Sequence, residues 1–154
     1  MRLLPAAAVL LWLGIMAFFA FLVAPAAFTT LDREAAGRFV SVMFPRYYAV
    51  GTALGILALA ALAGGWLRRG WSPGEWGSLG LVLLMLALTL YAWLVVLPAA
   101  HSAREAFRAA AVQPGAVSTE AAAFARLHRL SGLLNAAVMA AGALFLIVEA
   151  VRRR

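Results

Sequence analysis

The sequence predicts an all-α membrane domain, a four-transmembrane-helix bundle with amphipathic interfacial helices in the first and third connections. Three observations carry this. Of the 154 residues, 66% are hydrophobic and 12% charged, with a mean hydropathy of +0.95; soluble domains run near 45–50% apolar and about 25% charged. Four stretches, about 5–24, 48–67, 79–97 and 130–148, carry no charge, and each approaches the roughly 20 apolar residues that cross a bilayer at 1.5 Å per residue. Backbone groups in hydrocarbon must pair within their own segment, so each stretch is a helix. The length fits one domain over residues 1–154.

The composition also excludes chemistry. There is no cysteine, which removes disulfides, thiolate metal sites and cysteine nucleophiles. The net charge of +7 arises from thirteen basic residues, all arginine. They lie at the ends of apolar runs, where guanidinium groups meet lipid phosphates, so membrane lipids are the expected partner and nucleic acid is not. An all-arginine, Ala/Leu/Gly-rich chain suggests a GC-rich bacterium and its inner membrane.

The first span opens with Pro5 in a first turn and ends before Pro25. Arg2 and Ala24-Pro25-Ala26-Ala27 also resemble a signal peptide, but the run is long for one, and a retained helix is expected. The connection 26–47 is amphipathic: Leu31, Ala35, Phe39 and Met43 recur every fourth residue, while Asp32, Arg33, Arg38 and Ser41 fall mostly on the other side. Thr29-x-x-Asp32 reads as its capping box and Pro45 as its stop. Arg46, Tyr47 and Tyr48 then form a girdle at the entrance to the second span.

Gly51-x-x-x-Gly55 and Ala60-x-x-x-Gly64 predict a close helix-packing face in the second span. Gly64-Gly65 is expected to end it, followed by Arg68-Arg69 and a short link flanked by Trp66, Trp71 and Trp76 at belt positions. The third span is expected to close at Leu97-Pro98. A new short helix then starts at the Ser102-x-x-Glu105 capping box, and Gln113-Pro114-Gly115 turns the chain. Ser118 or Thr119 caps a last helix that projects several turns beyond the membrane. The arginine counts at the two ends nearly cancel. Arg68-Arg69 and Arg152 to Arg154 abut span ends directly, which favours both termini in the cytoplasm.

These residues resemble the transmembrane protein 205-like family, which in bacteria is filed as a membrane domain of unknown function. The resemblance rests on Pro25-x-x-Phe28 with Ala36-Gly37, on Phe44-Pro45-x-Tyr47-Tyr48, on Leu94-x-x-Leu97-Pro98, and on Arg126-Leu127-His128-x-Leu130-Ser131-x-x-x-Asn135. Arg129 stands where a small residue is expected. The resemblance implies a four-span bundle in a membrane without an established molecular activity; animal members are associated with drug resistance and secretion.

His128, Ser131 and Asn135 share one face of the fourth span at i, i+3 and i+7. With Arg46, Tyr47 and Arg126 they form the candidate polar cluster, read either as a pocket or, more simply, as interhelical hydrogen bonding. His101 and His128 flank the third connection, and paired histidines ligate haem or metals in such bundles. The simpler reading leaves them solvated, and no cofactor is expected. Met16, Met85 and Met139 read as core filler before copper ligands. Glu149 is expected at the interface, paired with Arg152 or Arg153. No phosphate loop, HExxH or catalytic triad occurs, so no enzyme is expected. The leading expectation is a structural or partner protein, or a transport-related subunit. It would associate with itself or with another membrane protein. The alternatives are a haem- or copper-binding redox protein and a lipid- or amphiphile-binding bundle.

Overall fold

The fold is described from a computed structural model, which covers residues 3–70, 75–110 and 117–152. Four rods cross it. The first comprises α1 (Leu3–Phe18), a π-helical turn (Phe19–Val23) and α2 (Ala24–Thr30). The second is α3 (Arg33–Arg69). The third comprises α4 (Glu75–Tyr91), a second π-helical turn (Ala92–Val96) and α5 (Leu97–Ala110), and the fourth is α6 (Val117–Val151). Their membrane-competent stretches hold 28, 36, 35 and 31 residues. At 1.5 Å per residue these are about 42 to 54 Å long, against roughly 30 Å of hydrocarbon. The protein is a multi-pass membrane protein whose helices outrun the bilayer. Each rod packs on its sequence neighbours and the fourth closes on the first, giving an up-down-up-down ring.

The helices are longer than the sequence suggests, because none of the prolines among the described residues stops one. Pro25 and Pro98 each follow a π-helical turn by one residue. There Ala24 N–H bonds Phe19 O, and Leu97 N–H bonds Ala92 O. A proline removes the N–H that the carbonyl four residues back would accept, and its ring presses on that carbonyl. Widening the preceding turn absorbs the mismatch and lets the rod continue. Pro45 lies inside α3. The two stretches expected as separate interfacial helices are therefore extensions of the second and third rods.

The expected caps change accordingly. Thr29 Oγ1 donates back to Pro25 O at 3.1 Å, and Ser102 Oγ to Pro98 O at 3.1 Å. Both close a helical turn and neither starts a helix. The true N-cap is Asp32, whose Oδ1 accepts from Glu34 N–H at 2.9 Å and Ala35 N–H at 2.8 Å. These bonds, Ala35's foremost, hold the exposed Asp32 carboxyl below its ordinary pKa. Helix α3 runs past Gly64-Gly65 to Gly70, whose φ of 74° ends it while its N–H bonds Trp66 O. The last helix already includes Val117; the turn expected at 113–115 and Trp71 lie outside the described residues. Trp66 and Trp76 are exposed.

Lipid is as apolar as leucine, so close packing rather than hydrophobic burial must hold the rods together. Trp12 is the largest wedge. A Cβ on Gly51 would lie 2.6 Å from Trp12 Nε1, and one on Gly55 would lie 2.5 Å from Leu86 Cδ2. Both glycines therefore admit neighbouring side chains onto the backbone. Gly64 does not: a Cβ there meets nothing within 4 Å, so it is not part of the close-packed face. Met16 and Met85 are buried in the same core, and Met139 packs against it.

Candidate functional site: a polar and aromatic layer across the bundle

The π-helical turn of the first rod places Phe19 against the second, where Phe44, Tyr47 and Tyr48 occupy two adjacent turns of α3. Phe19 lies 5.6 Å from Phe44 and 5.2 Å from Tyr47, ring centre to centre. Phe44 stacks on Tyr48 at 6.0 Å, and Tyr47 meets Tyr48 edge-on at 5.2 Å. Such contacts add specific attraction to simple packing. Tyr48 is 2% exposed, so it belongs to the interior and not to a membrane-surface girdle.

Two hydroxyls leave this box toward α6. Tyr47 OH donates to Asn135 Oδ1 at 3.2 Å, and Tyr48 lies beside Ser131. The second and fourth rods are diagonal partners in the ring, so these contacts cross the bundle. The Ser131/Asn135 half of the expected cluster thus meets Tyr47, with Tyr48 as an unforeseen member.

The cationic half does not join. Arg46 is exposed and its Nη1 donates to Val42 O at 2.8 Å on its own helix. Arg126 is exposed, and so is Arg129. His128 is exposed with its ring 6.3 Å from Phe124. It shares the Asn135 face, but seven residues carry it about 10 Å along the axis, beyond the tyrosine layer. His101 is exposed as well. Among the described residues no three His, Cys, Asp or Glu side chains group to hold a metal.

Two further polar clusters were not visible from spacing. Glu149 is buried rather than interfacial: it is 7% exposed, accepts from Ser78 Oγ at 2.6 Å and pairs with Arg152 at 3.1 Å. Arg152 Nη1 also reaches Ser78 Oγ at 3.3 Å. The i, i+3 pairing with Arg152 is legible in sequence; the partner from α4 is not. At the other end Arg104 of α5 donates to Gly37 O and to Ser41 Oγ, both at 2.8 Å. Its guanidinium occupies the space a Gly37 side chain would fill. Glu34 beside it pairs with Arg38 at 2.7 Å and Arg108 at 3.3 Å. These last two pairs are largely solvated and contribute little; the Arg104 clamp ties the second rod to the third.

Chemically, the central layer offers neutral donors and acceptors already matched to one another, and no charge. Comparison with family models matches residues 7–109 to a domain of unknown function, DUF4149. Comparison with curated proteins and with solved structures returns no match. The matched region runs from inside the first rod through the third and covers most of the chain, which belongs to the DUF4149 family.

Proposed function

We propose that the protein is a non-enzymatic membrane component, a structural or partner protein or a small subunit of a transport assembly. One observation supports this most: the polar side chains that reach between rods are used on each other, and Thr52 Oγ1 is the buried polar side-chain atom left without a partner among the described residues. Tyr47 is used on Asn135, while Ser78 and Arg152 are used on Glu149. A solitary pump needs an ionisable group along its path; here the buried carboxylate is tied down at one end of the rods. Chemistry then falls to the outer surface. That surface is apolar at Phe21, Leu94 and Ile147, and takes lipid, a second copy of the chain or another membrane protein.

Within this reading the protein is a transmembrane protein 205-like member of a bacterial inner membrane. Arg68 and Arg152 abut span ends, which favours a cytoplasmic position for that end. The exposed arginines at the opposite end meet lipid headgroups. The test is the visible spectrum and metal content of protein purified in detergent from cells supplied with haem and copper. The expected preparation is colourless and free of stoichiometric metal. A Soret band, or about one copper per chain that His128→Ala removes, would overturn the proposal in favour of a redox protein.

A further inference from the structure

We infer that the chain is a duplicated helical hairpin. Rods one and two form one copy and rods three and four the other, related by a two-fold axis along the membrane normal. The sequence repeats first. Val9-Leu10-Leu11-x-Leu13 recurs as Val82-Leu83-Leu84-x-Leu86, and Val23-x-Pro25-Ala26-Ala27 as Val96-x-Pro98-Ala99-Ala100. Both pairs share one offset. The same offset carries the π-helical turn Phe19–Val23 onto Ala92–Val96. It also carries the Thr29-to-Pro25 back-bond onto the Ser102-to-Pro98 back-bond, each 3.1 Å.

Burial repeats with it. Pro5, Val9, Trp12 and Met16 are buried in α1, and Ser78, Val82, Met85 and Thr89 in α4. Rods two and four align on Gly55 and Gly142, and the contacts there decide the symmetry. A Cβ on Gly55 would meet Leu86 and Trp12; one on Gly142 would meet Leu13 and Met85. Leu13 and Leu86 are equivalent, as are Trp12 and Met85. Exchanging the hairpins therefore turns one contact set into the other, which is the mark of an isologous, two-fold interface. Parallel repeats about a normal axis are an established way to build membrane bundles.

The copies differ in how they fill one layer. The first pairs a large Trp12 with Gly51 and Ala58; the second pairs Met85 with Val138 and Phe145 at the equivalent positions. All six belong to the buried core. Each copy divides this layer between large and small residues in its own way, and the second set is the bulkier. The copies also differ in polarity. Pro5, Phe44, Tyr48 and Leu62 stand where the second copy has Ser78, Ser131, Asn135 and Glu149. At three of the four places the first copy is apolar, so Ser78, Ser131 and Glu149 are the second hairpin's own polar groups; at the fourth the first copy carries Tyr48.

The test transplants the second copy's packing into the first, in the full-length protein. Gly51→Val alone drives a side chain into Trp12 and lowers the midpoint of thermal unfolding in detergent by roughly 4–12 °C. Trp12→Met/Gly51→Val/Ala58→Phe, which gives both hairpins the same residues in this layer, is expected to recover most of that loss and elute as one symmetric peak. A triple variant no more stable than Gly51→Val, or one that aggregates, would overturn the two-fold relationship. So would a Gly51→Val protein as stable as the parent, because the first copy's packing would then not depend on the glycine.

Discussion

Tyr47 OH donates to Asn135 Oδ1 across 3.2 Å, joining two rods that face each other through the middle of the bundle and share no side. Ring neighbours pack helix on helix. Diagonal rods have only what a long side chain can reach, and a tyrosine is long enough. With Phe19 packed on its other face, Tyr47 links three of the four rods at one level.

The buried carboxylate predicts unequal effects for the two halves of its ion pair. Arg152→Ala removes the cation paired with Glu149 and is expected to destabilise the protein by about 1–3 kcal/mol. Glu149→Leu removes the charge itself and places at that site the residue found at the equivalent Leu62, so its effect is expected to be near neutral. Thermal unfolding of the two variants side by side checks the order. A Glu149→Leu protein less stable than Arg152→Ala would contradict it.

Asp32 sets a pH dependence outside the membrane. Its pKa is lowered chiefly by the Ala35 N–H bond, so the folded state favours the ionised form. The stabilisation is present above the ordinary carboxylate value of 3.8 and is lost as the pH falls through the lowered one. The protection of the Glu34 and Ala35 amides against hydrogen exchange, relative to the intrinsic rate at each pH, is expected to fall in acid. In Asp32→Ala it is expected to be low at every pH, with that dependence gone.

Arg104 clamps α5 to α3 by two charge-assisted bonds to Gly37 O and Ser41 Oγ. Arg104→Ala is expected to cost about 1–3 kcal/mol. Gly37→Ala is expected to displace the same guanidinium and cost a similar amount. Because both act on one contact, the double variant is expected to be far less than additive. Additive losses would place the two residues in separate contacts.

Membrane class, helix number and the glycine notch were legible because each follows from local composition: long apolar runs, and small residues at four-residue spacing. Helix ends were not legible at Pro25, Pro45 and Pro98. Proline is a reliable stop only where the chain can turn into water; in these rods neighbouring helices and π-helical turns carry the chain through. The Ser131/Asn135 half of the candidate cluster was readable from helical periodicity. Periodicity fixes a face but not a height, so it also admitted His128, which lies beyond the tyrosine layer. Glu149 shows the reverse failure. Its position at a span end and the nearby Arg152 pointed to a surface pair, and nothing local to residue 149 announces Ser78. The signal that could have found it is the hairpin repeat, which aligns Ser78 with the buried Pro5 and Glu149 with Leu62, a residue packed against the core.

The most direct test of the central claim, that the interior polar groups hold rods together, is a double-mutant cycle on Tyr47→Phe and Asn135→Leu in lipid nanodiscs. The account predicts that each single change lowers stability. It also predicts a coupling of about 0.6 kcal/mol, at most roughly 1.7, so the double variant falls short of the sum. Singles without effect, or strictly additive losses, would contradict it and would leave Tyr47 and Asn135 available to a ligand.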